Sequence, residues 1–363
     1  MSAPSAEPGP PPPGAEAPLL SVEDVEVAFD TGTLADRLRG RPTRILAVAG
    51  VSFEMRSGET FALVGESGSG KTTLARAVDG LQPISAGRIA VEGRDVSAMG
   101  SAELKALRRR VAMMFQDPQG SLSPRLSVGA LVAEPWRIHG AGGRDLRSEV
   151  RRLLRLVGLP EDFAGRYPHQ LSGGQARRVG VARAVALEPA LVLADEPTAG
   201  LDVSVQGEVL NLLADLRERL GLAMLIITHN LHVVRQVADR MGVMYLGRLV
   251  ETGPAEAIFE APRHPYTAAL LSANPKPDPD RVADRITLPA EVPSLTARPP
   301  GCEFHTRCPW ARERCRTDPP GPTREGGRAF TCHYPLEPGA RPPARDGLEP
   351  RGTPWALPPP FPA

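Results

Sequence analysis

The stretch Gly65-Glu66-Ser67-Gly68-Ser69-Gly70-Lys71-Thr72, led in by the apolar run Thr60-Phe61-Ala62-Leu63-Val64, constrains the fold of this chain more than any other. It satisfies G-x-x-x-x-G-K-[ST], a strand that feeds a phosphate-cradling loop and then a helix. Glycines at 65, 68 and 70 let the backbone turn tightly and aim successive N–H groups inward. The helix from about Lys71 adds the positive end of its dipole. Lys71 would reach the terminal phosphates of a bound polyphosphate. The Thr72 hydroxyl would take one position on Mg²⁺, and Thr73 completes the segment.

The 363 residues leave room for roughly two domains. Hydrophobic residues at 41% and charged residues at 23% are ordinary for a chain that buries a core. Formal net charge is +1, which supplies no electrostatic footprint for nucleic acid or an anionic membrane. Lysine occurs only at 71, 105 and 276, so a lysine kept inside the phosphate loop points to a specific role there. No apolar run approaches the ~20 residues of a membrane span. Residues 1–18 lack the basic and apolar parts of a signal peptide, and the expectation is a cytoplasmic protein.

Residues 1–18 and 336–363 are proline-rich and read as disordered tails. Between them, two alternating β-branched segments, 20–29 and 45–53, precede the loop and predict antiparallel strands. A third and a fourth follow near 87–91 and 111–115. From about 117 to 172 the period turns helical, with Val150, Leu153, Leu154, Val157 and Leu159 on one face. After it, helices near 173–186 and 205–219 alternate with buried strands at 191–194 and 223–227, which predicts a parallel sheet covered on both faces. A hairpin-like pair at 241–245 and 248–251 closes this α/β unit, and a boundary is expected near Pro262.

Leu191-Val192-Leu193-Ala194 runs into Asp195-Glu196, an apolar strand ending in two carboxylates. At the carboxyl edge of a parallel sheet, Asp195 would hold the Mg²⁺ shell and Glu196 would orient and deprotonate an attacking water. Leu171-Ser172-Gly173-Gly174-Gln175 opens a helix, with Ser172 as its cap and paired glycines that allow close approach of a backbone or phosphate. Phosphate loop, Leu-Ser-Gly-Gly-Gln and Asp-Glu in this order resemble the ATP-binding subunits of ABC transporters, over residues 19–262. The fold implied is an α/β P-loop ATPase core with an antiparallel β-subdomain and a helical subdomain.

That resemblance assigns further residues. Gln116, in Phe115-Gln116-Asp117-Pro118, looks like the glutamine that contacts Mg²⁺ and the attacking water. His229, in Ile227-Thr228-His229-Asn230, looks like the histidine that contacts the γ-phosphate. Asp202 matches the loop that crosses the dimer interface, and Phe29 stands where an aromatic stacks on adenine, although a core phenylalanine on an edge strand fits equally. Two departures stand out. Ala199-Gly200-Leu201-Asp202 replaces the usual Ser-Ala-Leu-Asp, and Asn230 replaces an aspartate after the histidine. With one phosphate loop and one Ser172 to Gln175 motif per chain, the resemblance implies an ATP sandwiched between two ATPase subunits.

All four cysteines, Cys302, Cys308, Cys315 and Cys332, lie beyond the core in a C-terminal extension, 263–335. Clustered thiols in a cytosolic chain suggest metal, although these gaps are longer than those of common zinc knuckles. Zn²⁺, an iron–sulfur cluster or four unconnected thiols remain open on spacing alone. His264-Pro265-Tyr266-Thr267 and Gly301-Cys302-Glu303-Phe304-His305-Thr306-Arg307-Cys308-Pro309 resemble the C-terminal region of dipeptide and oligopeptide importer ATPases, in which such a set holds [4Fe-4S]. Residues 116–125 resemble that group's entry to the helical subdomain, a docking surface for a permease helix.

The resemblance therefore implies an importer ATPase at the cytoplasmic face of the membrane, using ATP and Mg²⁺. Its partners would be a second ATPase subunit, a different chain rather than a copy, two permease subunits and, indirectly, an extracytoplasmic solute-binding protein. No nucleic acid is expected. The alternative is a soluble ABC-type ATPase acting on DNA or ribosomes, against which stand the single cassette and the lack of a long coiled-coil insert. A degenerate regulatory subunit is disfavoured by intact Lys71, Asp195, Glu196 and His229.

Overall fold

The computed structural model describes residues 17–30, 32, 44–117, 120–273, 285–289, 291–340 and 342. Of the segments read above, the first sixteen residues, most of the arginine-containing insert after Phe29, Pro118 and most of the C-terminal tail lie outside them.

Two sheets share the core. The first is antiparallel, with β1 (Leu20–Asp30) between β2 (Arg44–Met55) and β4 (Ala86–Val91), and β5 (Arg94–Asp95) outside β4. The second has eight strands among the described residues. Its parallel centre comprises β3 (Thr60–Val64), β6 (Val111–Met114), β7 (Leu191–Asp195), β8 (Ala223–Thr228) and β9 (Arg240–Tyr245), in the order β9, β3, β8, β7, β6. β10 (Arg248–Pro254) adds antiparallel to β9 through a turn in which Leu246 and Gly247 both have positive φ. The strand near 111–115 therefore does not join the antiparallel set as its position in the chain suggested. It pairs in parallel with β7, with Met114 opposite Ala194.

Alternation along the central strands explains why they sit where they do. Leu191, Leu193, Ala223, Leu225 and Ile227 face a core shared with the antiparallel sheet, while Val192, Ala194, Met224 and Ile226 face the opposite layer. Strands apolar on both faces are stable only when both faces are covered, and each fully buried aliphatic side chain contributes about 1.5–3 kcal/mol. On the first face lies α1 (Lys71–Val78), which buries Leu74, Ala75 and Val78. On the second lie α5 (Gly173–Val185) and α6 (Val203–Leu220); α2 (Ser101–Leu107) leads into β6.

The helical subdomain is built from α3 (Val128–His139) and α4 (Leu146–Leu156), continued by two short 3-10 turns. Ser127 caps α3 by accepting from the Ala130 amide, and Asp145 caps α4 by accepting from Arg147. The apolar face of α4 that the sequence predicts is the buried one: Val150, Leu153 and Leu154 pack with Val157 and Leu159 against α3 and α5.

The C-terminal extension is stitched into the main sheet. After α7 (Leu231–Val237), α8 (Ala255–Glu260) and α9 (Pro265–Ser272), the chain forms α10 (Glu313–Thr317) and a hairpin, β11 (Thr323–Glu325) and β12 (Arg328–Phe330). β12 pairs with β10 and so extends the eight-stranded sheet beyond Pro262. Tyr245, Tyr266 and Phe304 pack ring against ring at the seam, with centroids 4.8–5.3 Å apart. Buried Glu251 ties the hairpin down by accepting from Arg328 and from the amides of Arg263 and His264. Leu336, read as the start of a tail, is packed and donates its amide to Arg263.

Candidate nucleotide site

Parallel register gathers the chemistry at one edge. Val64, the last residue of β3, lies opposite Thr228 of β8, and Ile227 of β8 lies opposite Asp195 of β7. The segments after these three strands, beginning at Gly65, His229 and Glu196, therefore emerge side by side although they are far apart in sequence.

The loop from Gly65 to Gly70 is wedged between β2 and the β9–β10 turn. A Cβ on Gly65 would lie 2.2 Å from the Met244 carbonyl oxygen, and one on Gly70 would lie 2.2 Å from that of Ala47. Neither position admits a side chain, and Gly70 also has φ +99°. The Gly247 amide donates to the Ser69 carbonyl, which fixes the loop to the turn. Lys71 is buried, and its Nζ donates to the Gly65 and Glu66 carbonyls at 2.9 Å each and to Ser69 Oγ at 3.1 Å. Burial lowers its pKa, opposed by the carboxylates of Glu196, Asp195 and Glu66. Its three hydrogen bonds go to neutral oxygens, so its charge can draw an anionic ligand, an attraction the nearby carboxylates partly offset.

Thr72 Oγ1 donates to Asp195 Oδ2 at 3.0 Å, which links the start of α1 to the end of β7. Burial raises the Asp195 pKa, and the bond from Thr72 opposes that rise. Carboxylate and hydroxyl together offer oxygen ligands of the kind Mg²⁺ takes. Thr73 continues the first turn of α1, and Ser67 and Gly68 lie at the outer bend.

Glu196 adopts φ +49°, unusual for a side chain with a Cβ. Its amide donates to the Ile227 carbonyl, and its own carbonyl accepts from Arg177 Nη1 at 3.1 Å. This aims the carboxylate at the end of β8. There Oε1 lies 2.6 Å from His229 Nδ1 and accepts from the His229 amide, while Oε2 accepts from Thr228 Oγ1 at 3.3 Å. Asn230, in place of aspartate, caps α7 by accepting from the His232 amide. Gln116 stands exposed just past β6, and Phe29, 38% exposed, lies at the outer end of β1 opposite Ile45.

Ser172 and Gln175 bond reciprocally at the head of α5: Ser172 Oγ accepts from the Gln175 amide, and Gln175 Oε1 accepts from the Ser172 amide. Ser172 and Gly173 are exposed. Gly174 faces Val205, whose Cγ1 would lie 2.9 Å from a Cβ placed there. Asp202 caps α6 by accepting from the Val205 amide, and Val203 beside it is 85% exposed.

Sequence reasoning missed Arg177. Buried on α5, it donates to the Glu196 carbonyl and, through Nη2, to that of Ala199 at 2.8 Å. One guanidinium thus joins the helix headed by Ser172 to the Asp195-Glu196 turn and the loop before Asp202. In so arginine-rich a chain, only its place two residues after Gln175 marked it.

The four cysteines line one small cavity together with His264 and Trp310. Burial pushes the Cys308 and Cys332 thiols up to about 12, raises that of Cys302, and depresses the wholly buried His264 to about 3. Among the described residues, no three His, Cys, Asp or Glu side chains stand at the spacing that holds a metal ion. The four cysteines expected as one ligand set do share this cavity, but they do not stand at metal-binding distances from one another.

Comparison with known proteins fits this geometry. Residues 48–199 match the ABC transporter family model, and residues 250–315 match the model for the oligopeptide/dipeptide transporter C-terminal region. The probable peptide ABC transporter ATP-binding protein y4tS of Sinorhizobium fredii is 48% identical over 80% of this chain and 82% of its own length. The di/tripeptide transport ATP-binding protein DppF of Pseudomonas aeruginosa is 46% identical over 80% of this chain and 90% of its own. A dimeric ATP-binding cassette in a post-hydrolysis state with ADP and Pi superposes with a TM-score of 0.58, at 28% identity, over 65% of this chain and 98% of that one. The chain belongs to the family of ATP-binding subunits of ABC transporters.

Proposed function

We propose that this chain is the energy-coupling ATPase of an importer for peptides or related solutes, and that it supplies half of each of two shared ATP sites. The observation that carries this reading is the convergence of Lys71, Thr72, Asp195, Glu196 and His229 at one sheet edge, with Ser172 and Gly173 exposed elsewhere at the head of α5. Lys71 exchanges its loop carbonyls for phosphate oxygens. Thr72 and Asp195 hold Mg²⁺, with Gln116 as a further ligand. Glu196, oriented by His229 and Thr228, aligns and deprotonates the attacking water, and His229 reports the γ-phosphate. Phe29 stacks on adenine.

Ser172, Gly173, Gly174 and Gln175 close over the ATP held by a partner subunit, and the segment around Asp202 and exposed Val203 forms the seam. ATP then favours the closed pair and hydrolysis releases it, a nucleotide-biased switch. We favour a different ATPase chain as partner. Of the assembly's two permease subunits, one docks a helix on this chain at the groove lined by Ser121 of the 116–125 stretch, where exposed Phe115 and Ile138 flank the Glu134–Arg183 ion pair. A solute-binding protein feeds them from outside. Among the described residues no helix is long and apolar enough to cross a membrane. We place the chain peripherally on the cytoplasmic face, held there by its contacts with the permease subunits.

For the extension we favour a [4Fe-4S] cluster on Cys302, Cys308, Cys315 and Cys332, with Zn²⁺ as the alternative, supported by their shared cavity. It would brace a proline-rich segment with little core of its own. Two measurements test the proposal. The chain should co-purify with permease subunits from solubilised membranes; a wholly soluble, ribosome- or DNA-bound pool would overturn the importer reading. Anaerobically purified protein should contain iron and sulfide that Cys302→Ser removes, and zinc or no metal would overturn the cluster.

A further inference from the structure

The cysteine-bearing extension reaches back to the phosphate loop. Arg307, one residue before Cys308, is buried and forms a two-pronged pair with Glu66: Nη1 donates to Oε2 at 2.8 Å and Nη2 to Oε1 at 3.0 Å. Tyr266 of α9 accepts from the Glu66 amide at 3.0 Å through its hydroxyl. The Glu66 carbonyl accepts from Lys71. All the polar groups of one loop residue are thus held, its amide and carboxylate by the extension and its carbonyl by the loop's own lysine. The extension is itself anchored nearby, since Arg298 donates to both carboxylate oxygens of Glu303 and to the Leu46 carbonyl of β2.

Glu66 is an odd residue to place in a cradle for polyphosphate, because an unpaired carboxylate there repels the ligand. Its side chain is 29% exposed and lies close enough to Lys71 to oppose, weakly, the burial that lowers that lysine's pKa. A planar guanidinium in bidentate contact cancels the charge and fixes the side-chain direction together. We propose that Arg307 is a positioning residue of the ATP site, acting through Glu66: it masks the carboxylate and, with Tyr266, keeps the loop shaped for phosphates. The inference rests on residues 65–72 being the phosphate loop, and it makes the extension a working part of the site in cis.

The test is an ATP titration of the full-length chain carrying Glu196→Gln, so that turnover does not blur binding. Arg307→Ala should weaken ATP about tenfold, equivalent to about 1.4 kcal/mol. Arg307→Lys, with one prong, should lie between it and the parent. Adding Glu66→Gln to Arg307→Ala should recover most of the loss, because the unmasked charge is gone; a merely structural role for Arg307 gives no such rescue. Unchanged affinity in Arg307→Ala, or a double variant as weak as the single one, would overturn the proposal. If Arg307→Ala does not fold, parent-like affinity in Arg307→Lys would overturn it. Lys71→Ala, run alongside, separates the two inferences: retained affinity there refutes the phosphate-loop reading, whereas affinity lost there but kept in Arg307→Ala refutes only the role of Arg307.

Discussion

At the phosphate loop Lys71 is buried and bonded to three acceptors of its own loop, while at the head of α5 Ser172 is exposed and its side chain caps the helix by accepting from the Gln175 amide. Both segments are glycine-rich helix starts. The first is enclosed by β2, by the β9–β10 turn and by Tyr266 and Arg307 of the extension. The second leans on α6 through Gly174 and Val205 and otherwise faces outward. A helix N-terminus held on several sides by its own chain has its half of a ligand site already shaped. One that keeps its cap and its glycines at the surface is shaped for something that arrives from outside.

The comparison is broken or sharpened by variants on each side. The largest effect belongs to Glu196→Gln, which should retain ATP while turnover by the assembled transporter falls about 10²–10⁴-fold, the usual worth of a general base. Normal steady-state hydrolysis would remove Glu196 from that role. Next, Lys71→Ala deletes three charge-assisted hydrogen bonds inside the loop and the charge that meets the phosphates, so ATP affinity should fall about 10²-fold in a binding titration. An unchanged dissociation constant would make the loop a structural turn. The smallest effect on the isolated chain is that of Ser172→Ala. It should cost about 1 kcal/mol of stability through the lost cap, leave ATP affinity of the lone chain unchanged, and slow turnover of the assembly. A matching loss of affinity in the lone chain would mean that the two halves meet in cis.

Legibility followed sequence distance. Gly65 to Thr72, Asp195-Glu196 and Ser172 to Gln175 announced themselves because each motif is local and each glycine or carboxylate has one reason to be there. The buried face of α4 and the central strands were readable from periodicity. What escaped depends on pairing between distant segments. The strand at 111–114 carries no mark of whether it joins the antiparallel or the parallel sheet, and only its register with β7 decides. β12 joins the main sheet across a proline-rich stretch that reads as a separate unit. Arg177 and Arg307 are single arginines among many, and Arg307 meets Glu66 across 241 residues. The cysteines were legible as a set, but not that they would stand apart from metal-binding distance.

The central claim is that one chain holds half of an ATP site, and the direct measurement is binding and hydrolysis on a single sample of isolated chain whose mass by light scattering is that of a monomer. The account predicts about one ATP bound per chain with almost no turnover, and turnover that appears when the partner ATPase and permeases are added. A monomer hydrolysing ATP as fast per chain as the assembled transporter would contradict it.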